Sequence, residues 1–106
     1  MILEHHADKE LTDVKNALSR ASRIENLLRA RFEPDRMELA DESSRHAGHA
    51  GASPDGETHF RLRMAAQAFA GLSRVARQRL VNEVLHEEFA NGLHALAMEL
   101  RAPGEG

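Results

Sequence analysis

Apolar residues fall into two periods along this chain, and the switches between them divide it into elements. Leu11, Val14, Leu18 and Ala21 recur at three- and four-residue steps, and Ile24, Leu27, Leu28 and Phe32 continue the rhythm. That spacing predicts helix over residues 8–33. Ser22-Arg23-Ile24-Glu25 has capping-box spacing, which predicts a break near Ser22 and a second helix behind it. Pro34 lacks a backbone donor and restricts Glu33, so the helix should stop there.

Period two then takes over. Met37 and Leu39 alternate with Glu38 and Ala40, a short half-buried strand entering Asp41. Phe60, Leu62 and Met64 share one face of a second strand, which leaves His59, Arg61 and Arg63 on the polar face. Between the strands, Ser43 to Gly56 is rich in Gly and Ser and ends in Pro54-Asp55-Gly56. It is longer than an ordinary hairpin connection, which favours a functional loop.

Phe69 to Leu72 reads as a turn, and Ser73 can cap the helix that follows. In that helix Ala76, Leu80 and Val84 form one buried row and Val81, Leu85 and Phe89 the next. Arg74, Arg77, Gln78, Glu83 and His86 lie away from both rows, and Gly92 is a left-handed stop. From His94 the even positions Leu96, Met98 and Leu100 are apolar, a final strand with His94 as its first residue on the apolar face. Ala102 to Gly106 is expected to fray.

These elements predict an α+β fold: one small domain with a three-stranded sheet and its helices on one face. A chain of 106 residues, 42% hydrophobic, has apolar surface for one core and no length for two. Lys and Arg total 14 against 17 Asp and Glu, so a net charge of −3 gives no global attraction to nucleic acid or anionic membrane. Signal-peptide and membrane-spanning patterns are absent, and the expected location is cytoplasmic. With no cysteine, a disulfide scaffold, a thiol nucleophile and a zinc ribbon are excluded.

Candidate chemistry lies in the histidines. His46, His49 and His59 crowd the Gly-rich stretch and its exit, and His94 opens the last apolar run. Imidazole suits iron, zinc and copper, yet a chain without thiolates cannot hold an iron–sulfur cluster alone. The pattern is that of an incomplete metal site. A histidine at a strand start is held firmly enough to aim a ligand, and a loop histidine can move to meet it. Taken alone, each reads first as structural: His94 as a core-edge residue bonded to backbone, His46 and His49 as solvated loop residues.

The segments Asp41-Glu42-Ser43-Ser44-Arg45-His46, Glu57-Thr58-His59-Phe60-Arg61, Arg79-Leu80-Val81-Asn82-Glu83 and His94-Ala95-Leu96-Ala97 together resemble the BolA family, from about Ser22 onward. The resemblance implies a class II KH-like order, α-β-β-α-(α)-β, in a domain over 22–102. Residues 1–21 would be an N-terminal helical extension and 103–106 a flexible tail. It also implies a non-enzymatic adaptor in iron–sulfur and iron homeostasis, paired with a monothiol glutaredoxin. Their shared two-iron two-sulfur cluster would take thiolates from glutaredoxin and glutathione and imidazoles from this chain.

The ligand roles fall on His46 and His94, with His49 as the alternative loop ligand and His59 as a supporting group. No cofactor is expected on the isolated chain, which would be a monomer or weak homodimer without membrane contact. Where the family often has Arg-His-Arg, this chain has Arg77-Gln78-Arg79, so a role for that histidine does not carry over. The runner-up function is DNA binding by the KH-like fold through Arg74, Arg77 and Arg79. Against it, Gly48-His49-Ala50-Gly51 lies between strands, whereas KH domains place such a loop between helices. Zinc binding by His46, His49 and His94 matches no standard zinc spacing.

Overall fold

A computed structural model of the chain describes residues 18–43 and 56–105. The first helix, α1, spans Arg20–Phe32 without a break at Ser22. Its N-cap is Ser19, whose hydroxyl oxygen accepts the Ser22 N–H at 3.1 Å. The capping-box reading of Ser22 fails because Ser22 supplies the capped amide, while Glu25 pairs with Arg29 one turn on. The helix therefore crosses the boundary expected between residues 21 and 22. Glu33 closes it in the left-handed region at φ 45°, donating to the Arg29 carbonyl just before Pro34.

Three strands follow the expected pattern: β1 at Arg36–Asp41, β2 at His59–Ala65 and β3 at Ala95–Arg101. They lie in the order β1-β2-β3, with β1 antiparallel and β3 parallel to the central β2. Register stacks Met37 on Met64 and Leu39 on Leu62 on one side, and Phe60 on Leu96 and Leu62 on Met98 on the other. Ile24, Leu28 and Phe32 of α1 close over this apolar face, and Phe60, Leu62 and Met64 beneath them are buried. His94 stands one residue before β3 and is exposed, not the first strand residue on the apolar face.

A parallel neighbour requires a crossover, and residues 66–94 supply it. A short 3-10 turn at Gln67–Phe69 sends Phe69 into the core, 5.2 Å from Phe32 between ring centroids. Ser73 caps α2 at Arg74–Val84 by accepting the Ala76 N–H. The single helix expected up to Gly92 instead divides at Leu85, and a short α3 covers His86–Ala90. Leu85 is fully buried at the bend, which turns Glu88 inward toward α1. Gly92, at φ 123°, ends the segment in a conformation that side chains rarely adopt.

Ala102 and Glu105 are held in place where fraying was expected. Ala102 is buried, and the Glu105 carboxylate accepts its N–H at 2.8 Å. The same carboxylate takes Arg77 Nη1 at 2.7 Å and Nη2 at 2.9 Å. Arg77 also donates to the Leu72 and Leu100 carbonyls, each at 3.1 Å. It therefore lies between α2 and β3, not on a solvated helix face. The Arg77 hydrogen bond, helped by the Ala102 N–H, pulls the Glu105 carboxyl down to about 2.

Candidate functional site

Parallel pairing of β2 and β3 brings two histidines together that are far apart in sequence. His59 is opposite Ala95 in the register. The Thr58 carbonyl accepts both the His94 N–H at 2.8 Å and the Ala95 N–H at 3.1 Å. As a result the rings of His59 and His94 lie 5.1 Å apart between centroids, tilted by 46°. His94 is exposed, whereas His59 is 7% exposed. The expected placement of His59 on the polar sheet surface beside Arg61 is thus corrected: at the strand end it is buried, and the Glu42 N–H donates to its carbonyl at 2.7 Å.

A hydroxyl network supports this corner. Ser43 Oγ accepts the N–H of Thr58 at 2.9 Å and of His59 at 3.1 Å. Thr58 Oγ1 lies 2.9 Å from His59 Nδ1 and 3.3 Å from Ser43 Oγ. Behind them Asp41 accepts the Ser43 N–H at 2.9 Å and the Glu57 N–H at 3.0 Å. Burial alone would raise the Asp41 carboxyl, but hydrogen bonds from the Ser43 hydroxyl and amide and the Glu57 amide, with the charge of His59, hold it below its ordinary value.

Arg20 clamps the two segments that carry the histidines. Its Nη1 donates to the Glu57 carbonyl and its Nη2 to the Asn91 carbonyl at 2.7 Å. Arg20 Nε meets Glu88 Oε1 at 3.2 Å, and Arg23 donates to both Glu88 oxygens, Nε to Oε2 at 2.9 Å and Nη2 to Oε1 at 3.0 Å. Glu88 is 5% exposed, so two guanidiniums neutralise a buried carboxylate. Arg20 belongs to the stretch read as an extension, yet it braces the histidine corner.

His46 and His49 lie outside the described residues, as does Gly48-His49-Ala50-Gly51. Among the described residues no group of three or more His, Asp or Glu side chains could hold a metal ion. Among the described residues this corner offers one exposed imidazole, His94, with the ring of His59 beside it. Of the arginines proposed for nucleic acid, Arg74 and Arg79 are exposed on α2, whereas Arg77 is held by Glu105. No helix among the described residues is long and apolar enough to cross a membrane.

Asp41, Ser43, Thr58, Arg20 and Glu88 were not read from the sequence as site residues. Asp41 and Ser43 did carry a signal, the two-residue spacing of an Asx turn. The Arg20–Glu88 pair spans 68 positions and left none.

A family model described as BolA-like protein matches residues 28–105. The chain is 48% identical over 89 residues to an uncharacterized protein in the cobS 5' region of Sinorhizobium sp, covering 83% of this chain and 96% of that one. It is 44% identical over 91 residues to SufE-like protein 1, chloroplastic/mitochondrial, of Arabidopsis thaliana, covering 82% of this chain. It spans only 24% of that relative's length. The solved BolA domain of SufE1 from Arabidopsis thaliana superposes with a TM-score of 0.77 at 43% identity, covering 84% of this chain and 98% of the domain.

Proposed function

Since this chain belongs to the BolA-like family, we propose that it is a non-enzymatic adaptor in iron–sulfur and iron homeostasis that shares a two-iron two-sulfur cluster with a monothiol glutaredoxin. The observation that carries the reading is His94: an exposed imidazole fixed at a sheet end by the Thr58 carbonyl, in a chain without cysteine. Such a cluster needs four ligands. Two thiolates would come from the glutaredoxin cysteine and glutathione. The imidazoles would be His94 and a loop histidine, His46 or His49.

The corner suits half of such a site. His94 is exposed to a partner, its backbone N–H is pinned to the Thr58 carbonyl just ahead of β3, and Arg20 braces the segments on both sides. A bound cluster would supply one-electron chemistry and transferable iron and sulfide. This chain's contribution is to present neutral imidazoles, to hold them at the sheet end, and to release the cargo when they protonate. The reading calls for a compartment that keeps thiols reduced, as the cytoplasm does.

The experiment is to mix the full chain with a monothiol glutaredoxin carrying a glutathione-bound cluster, recording visible absorption and circular dichroism. A heterocomplex with altered bands is expected. No complex and no spectral change would overturn the reading.

A further inference from the structure

Two hydroxyls, those of Ser43 and Thr58, stand beside His59, that of Thr58 against its Nδ1. A hydroxyl oxygen has two lone pairs and one proton. The amides of Thr58 and His59 already donate to Ser43 Oγ, at 2.9 and 3.1 Å. Its accepting capacity is used.

Among the described residues the Thr58 hydroxyl has two acceptors within hydrogen-bond distance. Toward Ser43 it would be a third donor on a filled oxygen, at 3.3 Å. Toward His59 Nδ1 it makes the shorter contact, 2.9 Å, to a ring lone pair. The outcome is the same whether the Ser43 proton turns to the Asp41 carboxylate or to Thr58 Oγ1. We infer that Ser43 and Thr58 hold neutral His59 as the tautomer protonated on Nε2, making it a hydrogen-bond donor and not a metal ligand.

The consequence is a division of labour within the pair. With Nδ1 engaged by Thr58 and a proton on Nε2, His59 offers a metal no lone pair. Its N–H can instead donate, and an anionic sulfur, thiolate or sulfide, on the metal that His94 would bind is one acceptor that suits it, with the rings 5.1 Å apart. Hydrogen bonds to sulfur tune the potential of such centres. This second step rests on the function proposed above; the tautomer does not. Ser43 and Thr58 are positioning residues, acting through His59.

The test is long-range nitrogen–proton NMR of the ¹⁵N-labelled full chain, taken up in pH until His59 is neutral. The expected result is a protonated Nε2 and an unprotonated, hydrogen-bonded Nδ1. Thr58→Val keeps the side-chain shape and removes the donor, so the Nδ1 resonance should move. A proton on Nδ1, an even mixture of tautomers, a ring that stays doubly protonated to pH 9, or an unmoved resonance in Thr58→Val would each overturn the inference. In the glutaredoxin complex, His59→Gln should keep the cluster bands with a shifted potential, and His94→Ala should lose them. Loss in both would make His59 a ligand and overturn the inference. If wild-type chain forms no complex, the proposed function fails while the NMR result still decides the tautomer.

Discussion

Arg20 and Glu88 are 68 positions apart and pair at 3.2 Å, and that contact orders the corner where the histidines meet. From this anchor the same guanidinium reaches the Glu57 and Asn91 carbonyls, one ahead of β2 and one ahead of β3. The side chain thus acts as a strut between the start of α1 and both histidine segments.

Replacing Arg20 with Ala should loosen that corner selectively. Losing charge-assisted bonds of this kind costs about 1.5–3 kcal/mol, a rise in local opening of roughly ten- to a hundredfold. Hydrogen exchange at the His94 and Ala95 amides, which both donate to the Thr58 carbonyl, reads it directly. Exchange at central β2 amides should change less. Arg20→Lys should recover only part of the protection, because an ammonium cannot span three acceptors as a guanidinium does.

Glu88→Gln should destabilise the domain by about 2–3 kcal/mol in urea unfolding, since it leaves two guanidiniums facing a neutral, buried amide. The hydrogen bond from Arg23 leads in holding the Glu88 carboxyl below its ordinary 4.5, against burial and with help from Arg20. A depressed carboxyl stabilises the fold above its unfolded pKa and loses that contribution as pH falls through the folded one. Wild-type stability should therefore drop below pH 4.5 more steeply than that of Glu88→Gln. Parallel pH profiles would rule out this role.

Gly92→Ala should cost about 1–3 kcal/mol, because φ 123° is unfavourable for a residue with a Cβ. The added carbon would also meet Arg20 Nη2 at 2.9 Å. In an Arg20→Ala background the second cost disappears and only the backbone term remains. A double-mutant cycle measured by thermal unfolding separates the two.

Glu105 should titrate near pH 2 in carboxyl ¹³C NMR, because Arg77 and the Ala102 N–H bind its charged form. Its contribution is present above the ordinary 4.5 and fades between there and about 2. Arg77→Gln should return Glu105 toward the ordinary range and speed exchange at the Ala102 amide.

In the glutaredoxin mixture, His46→Ala and His49→Ala should differ. The variant that removes the loop ligand loses the hetero-cluster spectrum and the other retains it. Wild-type spectra for both, together with His94→Ala, would remove histidine ligation from the proposal.

Periodicity by itself determined most of the framework: three strands, the Ser73 cap, the apolar rows of Leu62 and Val81, and the Gly92 stop. Those features depend on neighbours one to four residues away, where a repeat of 2.0 or 3.6 states which face is buried. The cysteine count likewise decided that any shared cluster must draw its sulfur from elsewhere. Only the folded chain decided that α1 starts behind Ser19 and runs through Ser22 without a break. It also decided that Arg77 and Glu105 tie down the chain end and that Arg20 and Glu88 brace the corner. The burial of His59 belongs to the same group. Alternation puts it on the polar face, but at the end of β2 parallel pairing brings His94 alongside and the Ser43–Thr58 network bonds to it. Such contacts join residues tens of positions apart, and their partners are selected by how strands and helices pack, which no local repeat encodes.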